Sequence, residues 1–286
     1  MRIRRTTALP VAALALALTA VTGCGPERSG PAPAAVGAST ASAAARATAA
    51  TVSGAPTATA ATTAAAASGA PADASGAFDP AVAMAHRSKE PYAATVEMTT
   101  RAGTGDEQVL ITVTGRLNYN TPARGARTEG KTVAGGSLVV NWMETLTVDG
   151  VSYLRDKAKG ETRWTREPGT GAGADADADR SAAYAELLLG AGPTARKGME
   201  TDGAVPVFHL AARLSADQVL RADPANAQQM RSKGVEAVDC HLWIDRFGRV
   251  VRGEQSMVVA GKAVVTKDHY TDFGPAETFA APLTAN

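Results

Sequence analysis

Hydrophobic and polar positions follow two periods along this chain. Val109–Tyr119 alternates Val109, Ile111, Val113, Gly115 and Leu117 with Leu110, Thr112, Thr114, Arg116 and Asn118, the two-residue period of a half-buried strand. Leu138–Val148 continues the pattern, Asp149-Gly150 is a hairpin turn signal, and 151–155 returns as a strand. Trp164 ends a further short strand, which makes this half a meander. The period then lengthens. Residues 181–189, with Gly190 just beyond, read as a helix carrying Tyr184, Leu187, Leu188 and Leu189 on its apolar side. A second helix is predicted from Pro80 to about Lys89, because Asp79-Pro80 places an N-cap before a first-turn proline. After a strand at 205–214, Ser215 and Gln218 form a capping box, and Asp223-Pro224 starts a helix that Gly234 stops. Three strands at 235–245, 249–259 and 263–273 close the chain. Strands, helices, strands is the order of an α+β fold, an antiparallel sheet with helices packed on one face.

Residues 25–77 show neither period. They are Ala, Thr, Ser, Gly and Pro, with Glu27, Arg28, Arg46 and Asp73 as the only charges and no aromatic residue. Such a segment cannot bury enough surface to offset its ordering entropy, so it is predicted to be a disordered tether. As a flexible coil of about 50 residues it would span roughly 40 Å. Its threonines leave O-glycosylation open. All 3 Trp, 5 Tyr and 5 Phe fall at or after Phe78, so the globular part is residues 78–286, enough for one domain with its own core.

Residues 1–23 read as an export signal: Arg2, Arg4 and Arg5 without an acid, an apolar run from Ala8 to Ala20, then Val21-Thr22-Gly23 before Cys24. The run is shorter than the ~20 residues of a membrane-spanning helix. Thr6-Thr7 after Arg4-Arg5 lacks the hydrophobic follow-up of a twin-arginine signal, so the pair reads as ordinary n-region charge. An aliphatic residue three places before the cysteine and Gly23 immediately before it resemble the lipobox of bacterial lipoproteins. That resemblance implies diacylglycerol attachment at Cys24 and cleavage between Gly23 and Cys24. Such attachment would anchor residues 24–77 and the domain beyond them to the extracytoplasmic face of the cell membrane. Cleavage would turn the formal net charge of +1 slightly negative, which removes any electrostatic case for nucleic acid or an anionic membrane face. Only 2 Cys exclude a disulfide scaffold.

Longer phrases in the domain resemble the actinobacterial LppX/LprAFG lipoprotein family, itself similar to the LolA and LolB lipoprotein carriers. They are Asp149-Gly150-Val151-Ser152-Tyr153 followed by Trp164; Leu242-Trp243-Ile244-Asp245 followed by Gly248-Arg249-Val250-Val251; and His269-Tyr270-Thr271-Asp272-Phe273-Gly274. The chain departs from the family by its long tether and by the Gly/Asp insert at 169–180. The resemblance implies a strongly curved antiparallel sheet, a half-barrel, with helices covering the concave face and an apolar cavity that in relatives holds acyl chains. Trp142 and Leu146 on one strand and Leu187 and Leu188 on the helix are the candidate lining residues, with simple core packing as the alternative for each. The function expected is binding or carriage of a lipid or lipoglycan. An envelope protein-interaction or sensory module on the same fold is the second reading.

Signals for catalysis are absent from the sequence: no GxSxG, HExxH, CxxC, SxxK or phosphate-cradling glycine loop occurs, and neither an enzyme nor a cofactor is expected. His86, His209, His241 and His269 lack ligand spacing. His241 and His269 fall on terminal strands that the pattern makes neighbours, but two histidines without a third donor make a poor zinc site. Cys240 has no partner once Cys24 is acylated and reads as a buried thiol or a site of intermolecular oxidation. Asp175, Asp177, Asp179 and Glu186 stand at positions 1, 3, 5 and 12 of a calcium loop, yet Arg180 occupies the position that needs Gly to turn. A solvated loop with acids before a helix N-terminus is the competing explanation.

Overall fold

Val and Thr are the commonest residues of the strand segments, β-branched side chains that pack well on a pleated surface. A computed structural model describes residues 76–121, 125–167 and 173–283, with the backbone alone for 173–179. The signal segment, Cys24 and nearly all of the tether lie outside the described residues. Eleven strands form one antiparallel sheet: β1 (Tyr92–Ala102), β2 (Val109–Tyr119), β3 (Gly125–Ala134), β4 (Leu138–Val148), β5 (Val151–Asp156), β6 (Thr165–Glu167), β7 (Arg196–Asp202), β8 (Val205–Ser215), β9 (Ala237–Asp245), β10 (Val250–Val259) and β11 (Lys262–Pro275). Four α-helices accompany them among the described residues: α1 (Pro80–Ala85), α2 (Gly173–Gly190), α3 (Ala216–Ala222) and α4 (Pro224–Ser232).

The spatial order β6-β5-β4-β3-β2-β1-β11-β10-β9-β8-β7 makes two meanders joined where the first strand pairs with the last. Both ends of the order pair on one side only, so the curved sheet does not close. Turn chemistry supports the meanders: Asp149 and Gly150 both take positive φ (50° and 76°), the geometry of a two-residue hairpin. Curvature is visible at Gly115, where a Cβ would collide with the Arg127 carbonyl of β3, so the neighbouring strand bends close over the inner face of β2.

Three strands are longer or newer than periodicity suggests. β3 carries Arg, Lys, Glu and two Gly on a chain with few apolar residues, and it is held by ladders to β2 and β4 on both sides. β1 and β7 likewise owe their assignment to pairing. The helix expected at 181–189 starts eight residues earlier, at Gly173. Its backbone therefore carries Asp175, Asp177 and Asp179 as helix, which replaces both the calcium loop and the solvated loop. The first helix ends at Ala85, short of Lys89, with Asp79 Oδ1 accepting from the Ala81 amide at 2.7 Å. The capping box at Ser215 and Gln218 is formed in both directions.

The interior is lopsided. Tyr184, Ala185 and Leu188 of α2, Val219 of α3 and Met230 of α4 pack with Leu210, Leu214, Val238, Cys240, Leu242 and Ile244 in the largest buried cluster. The inner face of β1 and β2 has separate, smaller clusters, one of Ala94, Val96, Leu117 and Tyr119 and another of Met98, Ile111 and Val113. Helices α2, α3 and α4 thus share the main cluster with β8 and β9, whereas the apolar inner residues of β1 and β2 form separate, smaller clusters.

Candidate functional site

A cavity lies at the join between these clusters. Its walls come from Val96 and Met98 of β1, Leu117 and Tyr119 of β2, Leu242 of β9, and Tyr184 of α2, and its volume is about 70 Å³. Gln255 of β10 and Asp268 of β11 supply polar groups to the same space. A second cavity of about 30 Å³ shares Tyr119, Ser181 and Tyr270 with the first and extends towards Arg87, Gly248 and Arg249. The aromatic end is ordered by ring contacts: Tyr92 stacks on Tyr119 at 5.0 Å, and Tyr270 meets Tyr119 edge-on at 6.4 Å. Burial pushes the Tyr92 hydroxyl up to about 12, so it is neutral at physiological pH.

Register explains how a carboxylate reaches this interior. Asp268 pairs with Met98 on one side and Gly253 on the other, and Gly253 pairs with Leu242. A Cβ at Gly253 would stand 2.7 Å from Asp268 Oδ1 and closer still to Oδ2, so the glycine makes room for the carboxylate. Burial raises the Asp268 carboxyl to about 6, against a smaller lowering by a hydrogen bond with the Tyr270 side chain and the charge of His269. Arg180, which also lines the cavity, is ion-paired with Asp223 at 3.1 Å.

The four residues singled out by sequence as lining separate into three places. Met143 pairs with Gly130, which pairs with Val113, and Val113 pairs with Met98; Met143 is therefore on the cavity side of the sheet. Its neighbours by alternation, Trp142 and Leu146, face the other way. Trp142 donates from Nε1 to Glu129 Oε1 at 2.6 Å beneath Lys157, whose ammonium lies 4.6 Å from the ring centroid. Leu146 pairs with Arg127 and Tyr153 on that same outer face and is buried there. Leu188 is fully buried in the main cluster, and Leu187 borders a surface groove with Glu186, Gln218 and Arg221.

Sequence also missed the histidine pairing. His241 on β9 is separated from His269 on β11 by β10 and instead meets His209 of β8, Nδ1 to Nε2 at 3.0 Å. His209 stacks on Trp243 at 4.3 Å, and Glu200 of β7 holds both, at 2.8 Å to His209 Nδ1 and 2.7 Å from Trp243 Nε1. Burial lowers the His209 pKa more than Glu200 raises it. His269 binds Asp202 at 2.7 Å, and His86 is an exposed helix cap. Among the described residues no group of three His, Cys, Asp or Glu side chains is placed to hold a metal. Cys240 is buried in the main cluster, where burial pushes its thiol up to about 12 and leaves it inert as a nucleophile.

Asp268 had one signal in the sequence. In 263–270 the outward row is Val265, Lys267 and His269, so Asp268 falls on the inward row with Val264, Thr266 and Tyr270. Only the phase of the strand distinguishes it from a surface acid.

The fold and site define an open, curved antiparallel sheet with a small, largely apolar interior cavity beside α2. Solved structures similar to this chain include LprF from Mycobacterium bovis (17% identity, TM-score 0.42, 68% of this chain and 90% of that one) and the lipoprotein LppX from Mycobacterium tuberculosis (11% identity, TM-score 0.31, 64% and 88%). An outer-membrane lipoprotein-sorting protein domain from Vibrio parahaemolyticus is more distant, at 12% identity and TM-score 0.20 over 65% of this chain and 85% of that one. No family model and no curated protein matches the chain. No helix among the described residues is long and apolar enough to cross a membrane.

Proposed function

We propose that the protein is a lipoprotein held at the extracytoplasmic face of the cell membrane by acylated Cys24, and that its domain at 78–286 binds and carries a lipid. Binding, not catalysis, is the activity inferred. The observation that supports this reading is the lopsided interior: the apolar inner face of β1 and β2 forms small clusters of its own, outside the main one, and a cavity lies between it and Tyr184 of α2. A cavity of about 70 Å³ is smaller than the ~300 Å³ at the low end of small-molecule sites, so an acyl chain enters only as the interior opens. The opening proposed is movement of α2 away from β1 and β2, while Ala185 and Leu188 keep its C-terminal half in the main cluster. In this reading the helices cover the concave face of the sheet, and the tether gives the domain reach from its anchor.

The test is lipid extraction and mass spectrometry of the full chain purified from a host that processes lipoproteins, beside the variant Met98→Trp. A co-purifying acyl lipid in excess of the anchor, lost in Met98→Trp with the thermal midpoint preserved, is the expected result. Protein without such a lipid, or an unchanged load in the filled-cavity variant, would refute lipid carriage in this cavity.

A further inference from the structure

One end of the sheet leaves apolar side chains uncovered. Leu138, Val139 and Val140, which follow the β3–β4 turn, are 65%, 39% and 53% exposed, and Val258, just before the β10–β11 turn, is 61% exposed. Register puts both turns at the same end: Leu138 pairs with Ala134, Ala134 with Val109, Val109 with Ala102, Ala102 with Val264, and Val264 with Met257 next to Val258. Resting on the anchored-lipoprotein reading above, we propose that this end is a membrane-docking edge: Leu138, Val139, Val140 and Val258 enter the interface of the bilayer that holds the anchor, at the end of the domain opposite to the tether.

Three observations carry this. First, the exposure is built into the ladder. Thr132 pairs with Asn141 and Val133 with Val139, so Val140 is the extra residue of a β-bulge and the usual in-and-out alternation is broken there. A run of three exposed apolar residues is disfavoured in water unless something covers it. The turn itself, Gly135-Gly136-Ser137, brings no charge that would oppose insertion. Second, the side chains behind the tip suit a membrane interface. Trp142 is half-buried two residues further along β4 than Val140, with the Lys131 ammonium 5.4 Å from its ring centroid. Long cationic and aromatic side chains of this kind bridge apolar and aqueous layers. Of the two acids on the β1–β2 connection, Glu107 is paired with Lys262 at 2.8 Å and Asp106 is exposed to water. Third, the path of the chain allows it. Gly76, next to the tether, lies against Pro206 at the start of β8, where an added Cβ would stand 3.4 Å from Pro206 Cγ. β8 runs from there towards the apolar end, since Arg213 pairs with Asp239 and Asp239 with Ser256. Its 11 residues span about 35 Å, which the roughly 40 Å expected of the tether matches.

A protein partner fits this edge less well. A specific interface takes about 800 Å² from each side, whereas these side chains sit on two separate hairpin ends. A bilayer surface receives separate apolar points that share one edge. Contact by four side chains is weak next to acyl chains, so it orients an anchored domain and does not hold a free one.

The experiment uses the full-length acylated protein in phosphatidylcholine vesicles. Cys240 is buried and Cys24 carries the lipid in the anchored form, so Leu138→Cys, Val258→Cys and Val205→Cys each add one thiol accessible to an environment-sensitive fluorophore. Val205, 47% exposed beside Pro206 at the tether end, is the control. Emission from positions 138 and 258 is expected to shift to the blue and to be quenched by spin-labelled lipid, while position 205 keeps the spectrum of a water-exposed label. As a second readout, the chain from residue 24 onward with Cys24→Ser is partitioned onto the same vesicles at high lipid, where Leu138→Ser with Val140→Ser should weaken partitioning about tenfold at an unchanged thermal midpoint. Equal spectra at the three positions, or a shift at 205 alone, would overturn the docking edge; flotation of the acylated protein and its co-purified lipid, read separately, then leave anchoring and carriage standing. A blue shift at 138 in the Cys24→Ser chain without vesicles, growing with protein concentration, would overturn it in favour of a second copy as the occupant.

Discussion

At the scale of single residues, Asp268 and Glu144 show how the two faces of one sheet treat a carboxylate differently. Glu144, buried on the outer face, would be raised by burial, but hydrogen bonds from Arg155 and Arg127 outweigh it and hold it below its ordinary value. Asp268 forms no such ion pair among the described residues, and burial raises it from 3.8 to about 6 against the smaller effects of Tyr270 and His269. The sign for stability follows from proton binding. Below about pH 3.8 the carboxyl is protonated in both folded and unfolded chains; between there and about pH 6 the folded chain keeps a proton that the unfolded chain has released; above that, folding buries a charge. The stability held at acid pH is therefore lost as pH rises through about 6, by about 3 kcal/mol for a shift of this size. Denaturant melts of wild type and Asp268→Asn should show a gap that opens in favour of the variant between pH 4 and pH 7.5. A gap that is equal at both pH values would mean that the carboxyl is not shifted. Neither environment can be read from the residue itself, since strand phase assigns the face and the cross-strand partner assigns the charge.

Among elements, α2 is the one whose two ends do different work. Its C-terminal half carries Leu188 into the main cluster at zero exposure, whereas Leu187 beside it borders a groove. Leu188→Ala should cost 2–5 kcal/mol of stability, and Leu187→Ala about 1 kcal/mol, read by chemical denaturation. Equal losses would show that the helix is not docked as described. Helix caps and hairpin turns were legible because their signals are local: Ser215 with Gln218, Asp79 before Pro80, Asp149 with Gly150. The strands that periodicity missed, β3 and β7, are polar or glycine-rich and gain their hydrogen bonds from neighbours that are distant or not yet placed when the sequence is read. The same limit explains why Trp142 and Leu146 were expected in the cavity. A one-residue change of phase moves every side chain of a strand to the other face, and Met143 occupies the inward place.

On the scale of the whole molecule, the proposal divides the chain into an anchor, a tether and a carrier domain. Cys24→Ser should move the protein from the membrane fraction to the soluble fraction while its domain melts at the same temperature, because in the anchoring proposed acyl chains and not surface charge supply the attachment. Retention in the membrane fraction would point to a different anchor. The alternation of apolar residues, the cap and turn signals, and the arginines, apolar run and cysteine at the start are local properties, and the sequence by itself determined them. Tertiary structure decided what depends on partners far away in the chain: β1 closing against β11, His241 meeting His209 instead of His269, and Asp268 finding its space at Gly253. Those pairings are set by the register of whole strands, where many backbone bonds and buried faces must agree at once, and no short stretch of sequence carries that information.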